Sequence, residues 1–304
     1  MIIFNGDIFK GPMDYNAVAH RMRQMLNAKE PRLAQFLYRT WSYQQTVFTY
    51  AEIRNALMNG TISQVMIDEW RQDYTKLVDE RFMPAWKAAM EAAEQQLAER
   101  YPTYLYNPNA AYVRAWTEQR AAELVVDITE QQRTAINDVV QRAARIQDIS
   151  VDDLARVIRP MVGLYPGQAV ANLRYYETVR QNIINTYPQL SNERAEKSAQ
   201  AAAIKYAGKQ HRYRAQMIAR TELCAAYNHG ELGAVKQAIH EGKMGCTKKR
   251  WVTGGDDRVC NKCKALEGIT VGVDELYPGG YECPGAHPHC RCVEVFEEVE
   301  APEF

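Results

Sequence analysis

Residues 260–292 read CNKCKALEGITVGVDELYPGGYECPGAHPHCRC, and five of the chain's seven cysteines fall in this one stretch, with none before Cys224. Cys260-x-x-Cys263 is a two-thiolate bite: two intervening residues on a tight turn bring both sulfurs to one side at tetrahedral spacing. The second half, His287-x-x-Cys290-x-Cys292, can supply two more donors, which makes a closed Cys₃His or Cys₄ site for one structural zinc ion. No vacancy remains for a catalytic water. Cys260 and Cys263 are the firmest candidates, while His287, Cys290, Cys292, His289 and Cys283 compete for two places. On a strand, Cys290 and Cys292 would point to opposite faces, so one of them is expected to pair with His287. The competing reading is a set of buried thiols, or disulfides formed only on oxidation.

The context favours metal. The first residues, MIIFNGDIFKGPMDYN, lack the basic and apolar regions of a signal peptide. No apolar run approaches the roughly 20 residues that span a bilayer. A reducing cytosol is therefore expected during synthesis, and there a cysteine cluster reads as a metal site. Around the cluster the texture is loop-rich: beyond Gly242 come eight further glycines, with Pro278, Pro284 and Pro288. Short β-prone runs lie at Lys249–Thr253, Ile269–Val273 and Cys292–Val299. Such a small α+β module has little apolar material of its own and needs a staple.

Upstream the chain reads as helix. Ile62, Met66, Trp70, Tyr74, Leu77 and Phe82 lay an apolar stripe along one face, continued by Trp86, Met90, Ala93 and Leu97. Thr61 with Gln64 fits a capping box that would start this helix, and Pro84 is expected to end or kink it. Pro102–Ala110 is the clearest early break. Thr129 with Gln132, and Ser150 with Asp153, mark further starts, so the middle is expected to hold shorter helices. A turn at Gly163–Gly167 leads into a helix from about Gln168. Two more helices are expected at about Asn192–Gln210 and Tyr213–Glu241. The fold class is thus mainly α, with long N-terminal and central helices followed by a small zinc-stapled α+β module. The expected division is 1–126, a helical docking region; 127–241, a second helical part; and 242–304, the Cys/His-rich module with its acidic tail.

Lysine plus arginine equals aspartate plus glutamate at 37 each in 304 residues, so net charge predicts neither nucleic-acid nor membrane affinity. Between Lys205 and Arg250, however, ten Lys or Arg face three Glu, a local excess of 10 − 3 = +7. Lys209, Arg212, Arg214, Lys248, Lys249 and Arg250 are the candidate phosphate contacts; a solvated helix face is the plainer alternative. Arg220 and Glu222 point in different directions on their helix. Arg220 is expected to hold Asp256 or Asp257, and Glu222 a cation of the module, as a latch between helix and module. No catalytic residues are assigned. A zinc deaminase would need His-x-Glu ahead of a Pro-Cys-x-x-Cys, and Val259, not proline, precedes the Cys pair. A Cys260–His287 nucleophile pair, or a metal-dependent nuclease or hydrolase on His287 and His289, lacks an acidic constellation to support it.

Three blocks now stand in order. They are Arg214-Ala-Gln-Met-Ile-Ala-Arg-Thr-Glu222 with Ala225, Asn228 and Gly230; Trp251-Val-Thr-Gly-Gly-Asp256 with Arg258, Cys260, Cys263, Leu266 and Gly268; and His287-Pro-x-Cys290-Arg-Cys292. Together they resemble the phage Mu protein F-like head morphogenesis domain, over about Thr129 to Val295. The resemblance implies a minor capsid protein of tailed phages, low in copy, inside the capsid of the virion after assembly in the host cytoplasm. It would associate with the portal protein, or with scaffold or major capsid protein, and influence DNA packaging or ejection. Some members are similar to nonspecific binders of double-stranded DNA. Only Cys260, Cys263, His287, Cys290 and Cys292 carry over as site positions. His289 and Cys283 depart from the usual pattern.

Overall fold

A computed structural model describes residues 15–100, 104–146 and 149–299. The first fourteen residues, the opening of the loop at Pro102 and the acidic tail beyond 299 lie outside the described residues. Long helices dominate. They are α1 (Tyr15–Val47), α2 (Tyr50–Asn59), α3 (Gln64–Leu77), α4 (Met83–Arg100), α5 (Ala111–Ala143), α6 (Val151–Ile158), α7 (Pro166–Thr186) and α8 (Asn192–His240). The module then adds β1 (Thr247–Val252), a short α9 (Asn261–Leu266), β2 (Thr270–Gly272) and β3 (Val293–Glu298). The sheet is antiparallel in the order β2-β1-β3, with Arg250 opposite Thr270 and Trp251 opposite Glu294. All three strands fall within a few residues of the β-prone runs.

Both apolar stripes are buried along their whole length, from Ile62 through Leu97. The helix that carries them starts differently from expectation. Ser63, not Thr61, is the N-cap, accepting from Met66 N–H at 3.3 Å, while Thr61 Oγ1 donates to Asn137 Oδ1 at 3.2 Å. Pro84 neither ends nor sharply breaks the run. A proline lacks the N–H that would meet the carbonyl four residues back, and here one wider π-helical turn, Val78–Phe82, precedes it. Within that turn Met83 N–H reaches back five residues to Val78 O, and helix resumes.

Two expected helix starts are helix interior. Thr129 and Gln132 lie buried inside the 33-residue α5, so the middle is not a series of short helices. Thr129 Oγ1 donates back to Val125 O within the helix, and Gln132 serves a tertiary network. The break expected at His211–Arg212 is likewise absent, and α8 runs uninterrupted for 49 residues. Ser150 does cap α6, accepting from Asp153 N–H at 3.0 Å.

The chain forms two compact units, each assembled from separated segments. Among the described residues, one comprises 15–30, 84–100, 104–118 and 218–299. The other comprises Pro31–Met83 and Gln119–Met217. In the second, Trp41, Phe48, Trp70 and Tyr74 fill the core. Tyr74 OH accepts from Trp41 Nε1 at 3.0 Å and lies 2.5 Å from Gln132 Oε1 and 3.1 Å from Gln44 Oε1. Gly163, at φ 91°, packs against Trp41 so closely that a Cβ there would sit 2.4 Å from the indole. In the first unit, Gly230 lets α8 approach α4, where a Cβ would fall 2.6 Å from Met90. The end of α8 then meets the sheet: Leu232, Val235 and Ala238 share a core with Leu97, Met244, Val273, Cys283 and Phe296.

Candidate metal centre

Cys260 is the N-cap of α9, in extended backbone, and its Sγ accepts from Cys263 N–H at 3.5 Å. The first turn of the helix thus sets Cys263 beside Cys260. A second turn faces this one. Cys290 N–H donates to His287 O at 3.1 Å, closing His287-Pro-His-Cys290 into a tight turn with His289 at φ 64°. His287 Nδ1 lies 2.7 Å from Pro288 O, a group that only accepts, so Nδ1 is the donor there and Nε2 is the ring nitrogen turned to the sulfurs. That nitrogen lies 3.1 Å from Cys260 Sγ and 3.0 Å from Cys263 Sγ. Cys290 Sγ lies 3.9 Å from Cys263 Sγ.

Among the described residues, two groups of donors fall within 4.8 Å of one another: Cys260, Cys263 and His287, and Cys263, Cys290 and Cys292. Cys263 belongs to both. Tetrahedral zinc with bonds of about 2.3 Å to sulfur and 2.0 Å to nitrogen implies roughly 3.8 Å between sulfurs and 3.5 Å from sulfur to nitrogen. The Cys263–Cys290 spacing matches, the two sulfur-to-nitrogen spacings are shorter, and the donors form two groups that share Cys263. A cavity of about 20 Å³ lies among the donors, room for one ion. The site can hold a metal ion, and its soft sulfur and imidazole donors suit zinc.

The expectation that Cys290 and Cys292 diverge does not hold, because the segment is not a strand. Residues 290–292 have no regular structure and β3 begins at Val293, so both sulfurs gather on Cys263. Hydrogen bonds from the Cys224, Cys263 and Cys292 thiols pull Cys290 well below the usual thiol range. Cys263 is pushed up in return, by Cys290 and Cys292 and then by burial. One thiolate shared among protonated neighbours is what crowded sulfurs allow without a cation; a divalent ion replaces the remaining protons. Cys283 stands in the apolar core instead, where burial raises its thiol pKa.

The expected Arg220 link from helix to module is not formed. Arg220 makes a two-pronged pair with Glu30, at 2.7 and 2.9 Å, not with Asp256 or Asp257. Asp256 is taken by Arg291, also two-pronged at 2.7 and 2.8 Å, and the Arg291 guanidinium holds its carboxyl below the usual range. Glu222 is buried on α8. The bonds from α8 to the cluster come from residues that charge patterns could not flag. Thr221 Oγ1 accepts from His289 N–H at 3.2 Å, and Asn228 Nδ2 donates to Cys292 O at 3.1 Å. The seven-residue separation of Thr221 and Asn228 on one helix face was the available signal.

The six candidate phosphate contacts do not form one patch. Arg214 and Lys249 are fully buried. Arg214 donates to Gly163 O and Gln131 Oε1 and stacks on Trp41; Lys249 donates to Glu282 O and lies over Tyr277. Arg250 stacks half-buried on Tyr15. Lys209, Arg212 and Lys248 are exposed.

The architecture is thus one of long helices that end on a small sheet beside a Cys/His cluster. Residues 136–295, from within α5 to β3, match the family described as Phage Mu protein F like protein, and the chain belongs to that family. Comparison with curated proteins and with solved structures gave no match. The family is one of phage head morphogenesis proteins, structural and not typically enzymatic. Among the described residues no helix is long and apolar enough to cross a membrane.

Proposed function

We propose that the chain is a low-copy minor head protein that associates with the portal inside the assembling phage head and assists assembly, DNA packaging or ejection. The carrying observation is the family match, which takes in α7, α8, the sheet and every residue of the Cys/His cluster. The cluster closes around one structural zinc ion and keeps the module on the end of α8. Residues 1–126, which precede the matched region, are the docking part for portal or scaffold. Co-expression with portal, scaffold and major capsid protein tests this: the chain co-purifies with portal-containing procapsids and is missing from procapsids made without portal. Equal incorporation with and without portal refutes the assignment. Metal analysis of the purified chain gives one zinc per chain, and a metal-free folded chain refutes the zinc part alone.

A second reading has one observation behind it. Lys205, Lys209 and Arg212 recur at i, i+4 and i+7 on α8 and are exposed, so three cations share one helix face and suit a duplex DNA backbone. Reversing all three to Glu abolishes salt-dependent DNA binding on this reading. Binding that survives the triple reversal removes it.

A further inference from the structure

The donor groups around Cys263 offer five ligands where zinc takes four, and the backbone separates them. Two turns face each other, each with two intervening residues. In one, Cys260 and Cys263 are set by the first turn of α9; in the other, His287 and Cys290 are joined by the Cys290 N–H to His287 O bond. Each turn presents its two donor residues from the ends of a hydrogen-bonded loop, and the two turns meet at Cys263. The imidazole already turns Nε2 toward the sulfurs, with Nδ1 at Pro288 O. Cys290 Sγ stands 3.9 Å from Cys263 Sγ, close to the separation of two sulfurs on one zinc.

Cys292 is placed otherwise. It lies two residues past the turn, immediately before β3, and its carbonyl is tied to α8 through Asn228 Nδ2. Cys224 Sγ also approaches that carbonyl, at 3.9 Å. Its backbone is therefore fixed by helix and sheet, whereas Cys290 closes the turn itself; by proximity alone the two thiols are alike, both grouped with Cys263 and neither with Cys260 and His287.

We infer that the ion is held by Cys260, Cys263, His287 and Cys290 as a Cys₃His site, and that Cys292 is a packed neighbour that anchors the turn to β3. This assignment rests on the metal reading proposed above. The test uses the full-length chain loaded with zinc or with cobalt(II), whose sulfur-to-metal charge-transfer absorption grows with the number of bound thiolates. Because loss even of a group that merely orients a ligand costs about 10- to 100-fold in affinity, Cys290→Ser should weaken zinc binding by at least about 100-fold. Cys292→Ser keeps one zinc per chain and an unchanged cobalt spectrum. Cys290→His guards against simple misfolding: it retains the metal and loses one thiolate's share of the charge-transfer band. Stoichiometric metal lost in Cys292→Ser, or kept with an unchanged spectrum in Cys290→Ser, overturns the assignment. A wild-type chain that takes up neither zinc nor cobalt overturns the metal reading itself, a result distinct from either.

Discussion

The core around Tyr74 and the cluster around Cys263 are both buried and both polar, yet they close in opposite ways. Around Tyr74, donors and acceptors balance: an indole N–H, a phenol and two amides satisfy one another inside a shell of Trp41, Phe48 and Trp70. Around Cys263, three further sulfurs and the His287 Nε2 converge, soft donors spaced to hold a metal ion. The first arrangement is complete with the chain's own atoms, whereas the second can also hold a cation. Long helices with continuous apolar stripes bury enough surface to stand alone. A module of three strands, of which β2 is three residues long, does not.

The sharpest break between the two regions is metal removal. Binding free energy of a structural zinc is folding free energy, on the order of 10 kcal/mol in small zinc modules. A strong chelator should collapse amide protection across β1, α9 and β3 while α3 and α5 stay protected, as hydrogen exchange followed by mass spectrometry reads directly. Equal protection in both regions with and without chelator would mean that the sheet stands on its own. Within the helical region the largest single effect is Trp70→Ala, which empties a fully buried indole site and costs about 3–5 kcal/mol by denaturant titration. Zinc content should not change.

How far these two regions could be foreseen follows from the range of their interactions. The stripes from Ile62 to Leu97 were legible because burial there repeats with the helix period, and the strands because β-branched and aromatic runs lie between glycines. The members of the cluster were legible from spacing. What was not legible depended on distant partners. Arg220 meets Glu30, 190 positions away in the chain, and no local pattern names that residue. The expected break between Gln210 and Tyr213 is likewise bridged: α8 runs through, and Val162 O and Gly163 O meet the side chains of His211 and Arg214. Thr129 and Gln132 mimic a capping box since the same side chains serve a helix-internal and a tertiary bond. Cys290 and Cys292 were assigned to opposite faces on the assumption of a strand, and the left-handed His289 just before them belongs to a turn instead.

A third test probes the polar core in the unit that holds the module. Glu94 is buried and receives the hydroxyls of Tyr104 and Tyr112, the latter at 2.6 Å. Burial raises its pKa to about 7, against the lowering effect of those two hydrogen bonds. A carboxyl raised in the folded state stabilises fully below its unfolded pKa and loses that contribution as pH rises through the folded value. Stability should therefore fall between about pH 4.5 and 7, by roughly 3 kcal/mol at most. Glu94→Gln should flatten this slope, and a slope unchanged in the variant would assign the pH dependence to other groups.

The smallest effect separates the two kinds of closure most cleanly. Tyr74→Phe keeps the ring, and with it the packing against Trp41 and Trp70, but deletes the one hydroxyl that the Trp41 indole and both glutamines share. The Trp41 N–H is then left buried without its acceptor, and an unsatisfied buried donor costs about 1–3 kcal/mol. Gln44 and Gln132 retain their mutual bond, Gln132 Nε2 to Gln44 Oε1 at 3.2 Å, which keeps the loss toward the lower end. The helical region should stay folded and merely become less stable, because each remaining partner still has part of its bonding. On the metal reading proposed above the cluster responds otherwise: loss of one of four ligands weakens the hold on the ion by at least about 100-fold, and the module with it. A Tyr74→Phe chain that loses helical structure outright would show that the two regions close in the same all-or-none way.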